Sequence, residues 1–286
     1  MILLLNAVLC LLPTAFVLAL IIRKRKEQRE ICLAPINELS RRPAGESLRI
    51  RLEHLEEKLT DDTLGLLLFP LMLILFLAIR HPIDELSLIL LFTLSVGSSA
   101  FFGIRIYKLA RSRANYKLGF EGERFVGEVL CRLITHGFEI YHDVPFDGFN
   151  IDHVLVGPRG VFIVETKTRR KPVDKSGGKK YHVTYDGKFL QWPWGADRFG
   201  IDQAKNNAKT LSAWLSSATG EIVSASPILT LPGWMVERKA PTNGIYILNP
   251  KEINGVCSSQ PPKLQESQIK RICHQLDQKC RIEIIH

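Results

Sequence analysis

Three nearly uncharged runs, Met1–Ile22, Leu64–Ile79 and Leu86–Ile104, restrict what this 286-residue chain can fold into. A bilayer span takes roughly 17–25 apolar residues. The first and third runs reach that length; the second is slightly short and carries Pro70. All three read as membrane helices, at about 2–22, 64–79 and 86–104. For the second, a re-entrant or buried core helix is the alternative. For the first, the alternative is a cleaved signal peptide, but a basic n-region and a small-x-small cleavage site are both missing, so an uncleaved anchor is expected. The last two runs are joined only by Arg80-His81-Pro82-Ile83-Asp84-Glu85, which suits a helical hairpin with a tight turn.

Cation placement gives the expected orientation. Arg23, Lys24, Arg25, Lys26, Arg29, Arg41, Arg42, Arg49, Arg51 and Lys58 lie between the first two runs, and Arg105, Lys108, Arg111, Arg113 and Lys117 follow the third. The hairpin turn has Arg80 alone. Positive flanks stay cytoplasmic. The N-terminus is therefore expected outside, the 23–62 loop inside, and everything after about residue 105 cytosolic, which makes this a multi-pass protein of the cytoplasmic membrane with the lipid bilayer as one partner. Membrane flanking also accounts for much of the net charge of +9: residues 1–118 hold 16 Lys+Arg against 11 Asp+Glu, leaving 22 against 18 for residues 119–286. So mild an excess does not by itself argue for nucleic-acid binding.

Within the inner loop, Leu48, Leu52, Leu55 and Leu59 form one stripe of an amphipathic helix, suited to a membrane surface or a partner helix. The six cysteines form no C-x-x-C pair, and Cys131, Cys257, Cys273 and Cys280 fall on the expected cytosolic side, where disulfides are rare. Cys273-His274 with Cys280 lacks a four-ligand spacing and reads as ordinary thiols.

The chemistry concentrates in Val154-Leu155-Val156-Gly157-Pro158-Arg159-Gly160-Val161-Phe162-Ile163-Val164-Glu165-Thr166-Lys167. Two β-branched runs flank a Gly-Pro-Arg-Gly turn, and a hairpin centred there pairs residue i with residue 317 − i. Asp152 then faces Glu165. Opposed residues on one face have Cβ atoms roughly 4.5–5.5 Å apart, and like charges so placed repel. Lys167 points to the same face, because strand side chains alternate. Two carboxylates and an ammonium are thus expected at one spot.

A helix from about Gly122 to Thr135 precedes the hairpin, with Phe125, Val126, Val129, Leu130, Leu133 and Ile134 on its apolar face. Glu128 and Glu121 fall off that face, but Glu123 lies about 60° from Val126, inside it. Either Glu123 serves the helix N-terminus, or it is a third carboxylate directed inward. Further along come an extended stretch Glu139–Phe146, a second hairpin over Tyr181–Trp192 with an Asp186-Gly187 turn, and a helix Ile201–Ser217 with Ala204, Ala208, Leu211 and Leu215 inward and Gln203 at the edge. Strands at Ser226–Leu231 and Gly244–Leu248 and a terminal amphipathic helix Pro262–Lys279 complete an α/β order with a mixed central sheet.

Two carboxylates opposed on a sheet are most simply tolerated with a divalent cation between them, and oxygen ligands with spare water positions suit Mg²⁺ or Mn²⁺. A plain Lys167–Glu165 salt bridge is the alternative for the lysine.

The residues Gly119-Phe120-Glu121-Gly122-Glu123, Ile151-Asp152-His153 through Val161-Phe162, Glu165-Thr166-Lys167, and Gln203 in a following helix together resemble the nuclease-related domain, NERD, of the PD-(D/E)xK nuclease superfamily. The likeness spans about residues 115–230, and Ile151 stands where the superfamily name has proline. It implies a restriction-endonuclease-like mixed sheet flanked by helices, preceded by an all-α transmembrane region. The expected division is a membrane region over 1–114, the nuclease-like domain over 115–235 and a C-terminal extension over 236–286 packing on it. The likeness also implies that Asp152 and Glu165 hold the metal, that Lys167 positions or activates the attacking water, and that Glu123 contributes from the first helix. Gln203 matches a family position of unspecified role.

Past the site, Arg169, Arg170, Lys171, Lys175, Lys179 and Lys180 form a basic run that reads either as a solvated loop or as a track for a phosphate backbone. Of these, Arg169, Arg170, Lys171, Lys179 and Lys180 are the expected nucleic-acid contacts, with DNA the expected substrate. The resulting expectation is a membrane-anchored, Mg²⁺-dependent nuclease-like protein. Its rival is a non-catalytic nucleic-acid-binding or scaffold protein that keeps the fold, since fold alone does not establish turnover.

Overall fold

The longest elements ignore the boundary between apolar and polar sequence. In the computed structural model, which describes residues 23, 41–79, 84–172, 181–241 and 243–281, helix α1 runs over Glu46–Ile79 and helix α2 over Glu85–Leu130. The amphipathic stripe at 48–59 and the apolar run at 64–79 are therefore one helix that continues through Pro70. Likewise the run at 86–104 and the helix expected from Gly122 join, because residues 105–121 are rich in Arg, Lys, Leu, Ala and Glu, all good helix formers. Both helices are long and apolar enough to cross a membrane. The run at Met1–Ile22, the turn at 80–83 and the segment containing Lys175, Lys179 and Lys180 lie outside the described residues.

The chain divides into two units, one of Met1–Glu38 with Leu55–Ser112, the other of Leu39–His54 with Arg113–His286. In the first, Arg105 pairs with Asp62 at 2.9 Å, and Gly65 leaves room for the ring of Phe102, which a Cβ would meet at 2.5 Å.

In the second unit, α2 passes into a 3-10 turn at Cys131–His136, closed by Gly137 in the left-handed region. Strands β1 (Glu139–Phe146), β2 (Phe149–Gly157) and β3 (Gly160–Thr166) form an antiparallel meander. A second patch of strands follows, β4 (His182–Tyr185), β5 (Leu190–Trp192) and β6 (Gly195–Asp197), then helix α3 (Phe199–Thr219). After it come β7 (Ala225–Thr230), β8 (Met235–Arg238), β9 (Tyr246–Leu248) and helices α4 (Ile253–Ser259) and α5 (Glu266–Lys279). The main sheet has the order β1-β2-β3-β7-β9, with β7 and β9 parallel to β3, so it is mixed as expected. The smaller sheet, β6-β5-β4-β8, includes the expected hairpin and adds β6 and β8.

Both faces of the main sheet are covered, which is why β2 and β3 read as continuous apolar runs. Val154, Val156, Val161 and Ile163 pack with α3 and α5 on one face; Leu155, Phe162 and Val164 pack with Val126 and Leu130 of α2 and with α4 on the other. The inward stripe of α2 differs from expectation. Phe125 and Ile134 are exposed, and Gly122 and Gly127 take their place in the interior. A Cβ on Gly122 would lie 1.8 Å from Thr168 Oγ1, and one on Gly127 2.9 Å from Ala44 Cβ, so glycine lets the helix approach the chain just past β3 and the 41–47 segment closely.

Candidate functional site

The β2–β3 ladder runs from Gly157↔Gly160 to His153↔Val164, which is the 317 − i register. Asp152 and Glu165 follow next on the face that α3 covers. Glu165 is 1% exposed; its Oε1 accepts from Lys167 Nζ at 3.0 Å and its Oε2 from Asn207 Nδ2 at 3.0 Å. Lys167 Nζ also donates to Gln203 Oε1 at 2.8 Å. Gln203 and Asn207 are four residues apart on α3, hence on one helix face. Gly200, one turn earlier, admits Lys167: a Cβ there would sit 3.0 Å from its Cγ.

Asp152 lies deep among protein atoms while keeping some accessible surface, and its Oδ2 accepts the Thr166 N–H at 2.7 Å. The Lys167 N–H donates to Thr230 O at 3.0 Å and extends the β3–β7 pairing to the site. Glu123 is 9% exposed and directed inward rather than serving as a solvated first-turn charge. Lys167, Glu165, Gln203 and Glu123 are thus brought together with Asp152.

Their protonation follows from burial. Glu123 is pushed up to about 8, chiefly by loss of water and then by Asp143 and Glu165, with Lys167 opposing. Asp152 is held well above the ordinary carboxyl range by burial, Glu165 and Glu123, against the Thr166 N–H and Lys167. Burial also raises Glu165, with Lys167 and Asn207 in opposition. Three inward carboxyls share one ammonium, so without another cation the cluster holds protons. The hydroxyls of Thr166 and Thr168 next to it are buried and have no hydrogen-bond partner among the described residues. This all-oxygen donor set fits a hard divalent ion. Among the described residues no group of three or more His, Cys, Asp or Glu side chains is arranged to hold a metal alone. An ion bound by Asp152 and Glu165 would complete its shell with water and substrate oxygens, as Mg²⁺ commonly does.

The basic run is only partly open. Arg169 pairs with Asp197 at 3.2 Å, Arg170 Nη2 donates to Ala114 O at 3.1 Å, and Lys171 lies 5.8 Å from the Tyr181 ring centroid. Lys179 and Lys180 lie outside the described residues. Cys131, Cys257, Cys273 and Cys280 are free thiols. Sequence reasoning missed Asn207, whose only signal was its position one turn beyond Gln203. It also missed Asp143, which the Asp147-Gly148 turn between β1 and β2 would have placed.

A mixed sheet with helices on both faces, carrying a buried carboxylate–lysine cluster at the end of a central hairpin, is an α/β arrangement that fits a nuclease-like fold. Residues 118–232 match the family NERD: Nuclease-related domain. No curated protein matches the chain. Among solved structures, Pyrococcus furiosus SfsA in complex with Ca²⁺ is similar at 16% identity and a TM-score of 0.25, over 44% of this chain and 54% of that one. The chain thus spans about half the length of that structure.

Proposed function

We propose that this protein hydrolyses phosphodiester bonds of nucleic acid, with DNA as substrate and Mg²⁺ or Mn²⁺ as cofactor, while anchored in the cytoplasmic membrane with residues 113–286 in the cytosol. The observation that carries this reading is the buried cluster in which Lys167 is held between Glu165 and Gln203 beside Asp152. A carboxylate-held dication would neutralise phosphate charge and supply hydroxide near neutral pH. The protein's own groups do the rest. Gln203 and Glu165 fix the Lys167 ammonium, which orients the incoming water and balances charge developing on the phosphate. Asn207 holds Glu165 in one rotamer by its second oxygen. Glu123 adds a third buried carboxyl at the site, held above the ordinary carboxyl range by burial and by Asp143 and Glu165.

Anchoring rests on the two long apolar helices and on the cations that flank them. Reporter fusions at residue 83 should be external and those near 40 and 150 internal; residue 150 outside would end the cytosolic assignment. The activity is tested with the full chain in detergent, offered duplex DNA, single-stranded DNA and RNA in parallel. Cleavage should require Mg²⁺ or Mn²⁺, stop with chelator and vanish in Glu165→Gln. Absence of products from every substrate and metal would favour a non-catalytic binding role.

A further inference from the structure

Two aromatic rings stand in the open, one against the lysine of the cluster and one on the aromatic stack that reaches Arg169. Phe199 begins α3, is 65% exposed, and has its ring centroid 5.3 Å from Lys167 Nζ. Its neighbour Gly200 packs on Lys167, so the ring's position is tied to that of the lysine. Trp194, in the turn between β5 and β6, is 54% exposed yet firmly supported. It stacks on Trp192 at 5.4 Å with an interplanar angle of 12°, and meets Trp234 edge to face at 5.5 Å. Trp234 Nε1 in turn donates to the carbonyl of Arg169, two residues beyond Lys167.

Neither exposed ring contributes its full area to the core, and large apolar side chains left in water are normally buried if the fold allows it. Trp194 is held by Trp192 and Trp234, so ordering it on binding costs little. Around them Arg169 is paired with Asp197 and Arg198 with Asp202, exposed pairs whose guanidinium groups can exchange a carboxylate for a phosphate at little cost. Open π-faces beside such groups suit a ligand that is both flat and anionic. Nucleic acid has that chemistry, but a duplex hides its base faces in the stack; only an unpaired strand can lay bases on protein rings.

We propose that Phe199 and Trp194 form a stacking platform for unpaired bases next to the phosphate held at Lys167, so that the substrate class is single-stranded nucleic acid or duplex with frayed or looped bases. This rests on the nuclease reading above and narrows it.

The test uses the full chain in detergent in a Glu165→Gln background, which binds without cutting. Fluorescein-labelled oligo-dT of about 15 nucleotides and a blunt duplex of about the same length are titrated side by side. The single strand should bind more tightly. Phe199→Ala and Trp194→Ala should each weaken single-strand binding by about ten-fold and leave duplex binding nearly unchanged. Phe199→Tyr should retain affinity, and Trp194→Phe should retain it while losing the tryptophan quenching that oligo-dT causes in the parent. Phe199 stands clear of the core, so its variants should melt like the parent, and Trp194→Phe, which keeps a ring on Trp192, is the folded control for Trp194→Ala. Equal affinity for the two oligonucleotides, or equal losses for both in the alanine variants, overturns the platform and leaves the nuclease reading standing. Failure to bind either oligonucleotide overturns both.

Discussion

Asp143 stands across from Asp152 between the pairs His142↔His153 and Val144↔Ile151, and its carboxylate, which raises Glu123, is itself held by a set of donors. Its backbone takes φ 48°, unusual for a residue with a side chain, and the carboxylate accepts from five donors: Arg42 Nε and Nη2, Ser47 N and Oγ, and Asn150 Nδ2. Arg42, with Ser47 in the first turn of α1 and Asn150 of β2, therefore supports a carboxylate buried next to the cluster. Asp143 is almost fully buried and Arg42 largely so. Arg42→Ala should lower the stability of this unit by about 3 kcal/mol, because a buried charge loses its partner. Arg42→Lys should lose less. The denaturant midpoint, followed by tryptophan fluorescence, measures both; an unchanged midpoint would show that Ser47 and Asn150 suffice.

Acidity should favour the carboxyl cluster of the metal-free protein. Glu123 moves from its ordinary 4.5 to about 8 on folding, and Asp152 and Glu165 also rise. These carboxyls bind more protons in the folded protein than in the unfolded chain, so their contribution to stability is full at low pH and falls as pH rises toward about 8. Buried His142 and His153, lowered by loss of water, act in the opposite sense below their ordinary 6.5. Denaturant midpoints in chelator, followed from about pH 5 to about pH 8, should therefore fall more steeply, or rise less, in wild type than in Glu123→Gln. Mg²⁺ should shrink that difference by supplying positive charge. The same pH profile for both proteins would contradict the buried, protonated cluster.

Lys167→Ala separates metal binding from chemistry. Removing the ammonium beside Glu165 removes a competing cation, so calorimetric affinity for Mn²⁺ should hold or improve. Turnover should fall by about 10²–10³-fold, the usual loss when a preorganised charge at the reacting phosphate is deleted. Loss of metal binding instead would make Lys167 a structural partner of Glu165.

Gly122→Ala should be costly and partly reversible. Its methyl would sit 1.8 Å from Thr168 Oγ1 and 3.0 Å from Thr168 Cβ. Helix and strand must separate, at roughly 1–3 kcal/mol, and Glu123 moves with the helix. Adding Thr168→Ala removes the worst clash and should recover most of the stability and activity. A fully additive double-mutant cycle would show that the two residues do not meet in this way.

The cluster was largely legible because the Gly157–Gly160 turn dictates strand register, and register dictates which side chains face one another. Glu123 betrayed itself by breaking a 3.6-residue apolar pattern. Asn207 did not, because asparagine on a helix face carries no signal until the strand beneath it is known. Asp143 was legible in principle: the Asp147-Gly148 turn, with Gly148 at φ 82°, pins β1 to β2. The docking of Arg42 on Asp143 spans about a hundred residues of sequence and leaves no local trace. Helix continuity through residues 105–121 was missed because a change from apolar to charged sequence was read as a change of element, when both halves favour helix.

The most direct measurement is the effect of Mg²⁺ and Mn²⁺ on the melting temperature of the full chain, wild type against Asp152→Asn and Glu165→Gln. If a cation joins the two carboxylates, millimolar metal raises the wild-type melting temperature by mass action. Both variants lose that response and keep the fold. Without metal Asp152→Asn melts no lower than wild type, since an amide oxygen still accepts the Thr166 N–H. Glu165→Gln melts lower, because one of its two donors, Lys167 or Asn207, loses its acceptor. No wild-type melting shift and no calorimetric heat with either metal, with or without nucleic acid, would contradict the metal site and with it the hydrolytic mechanism.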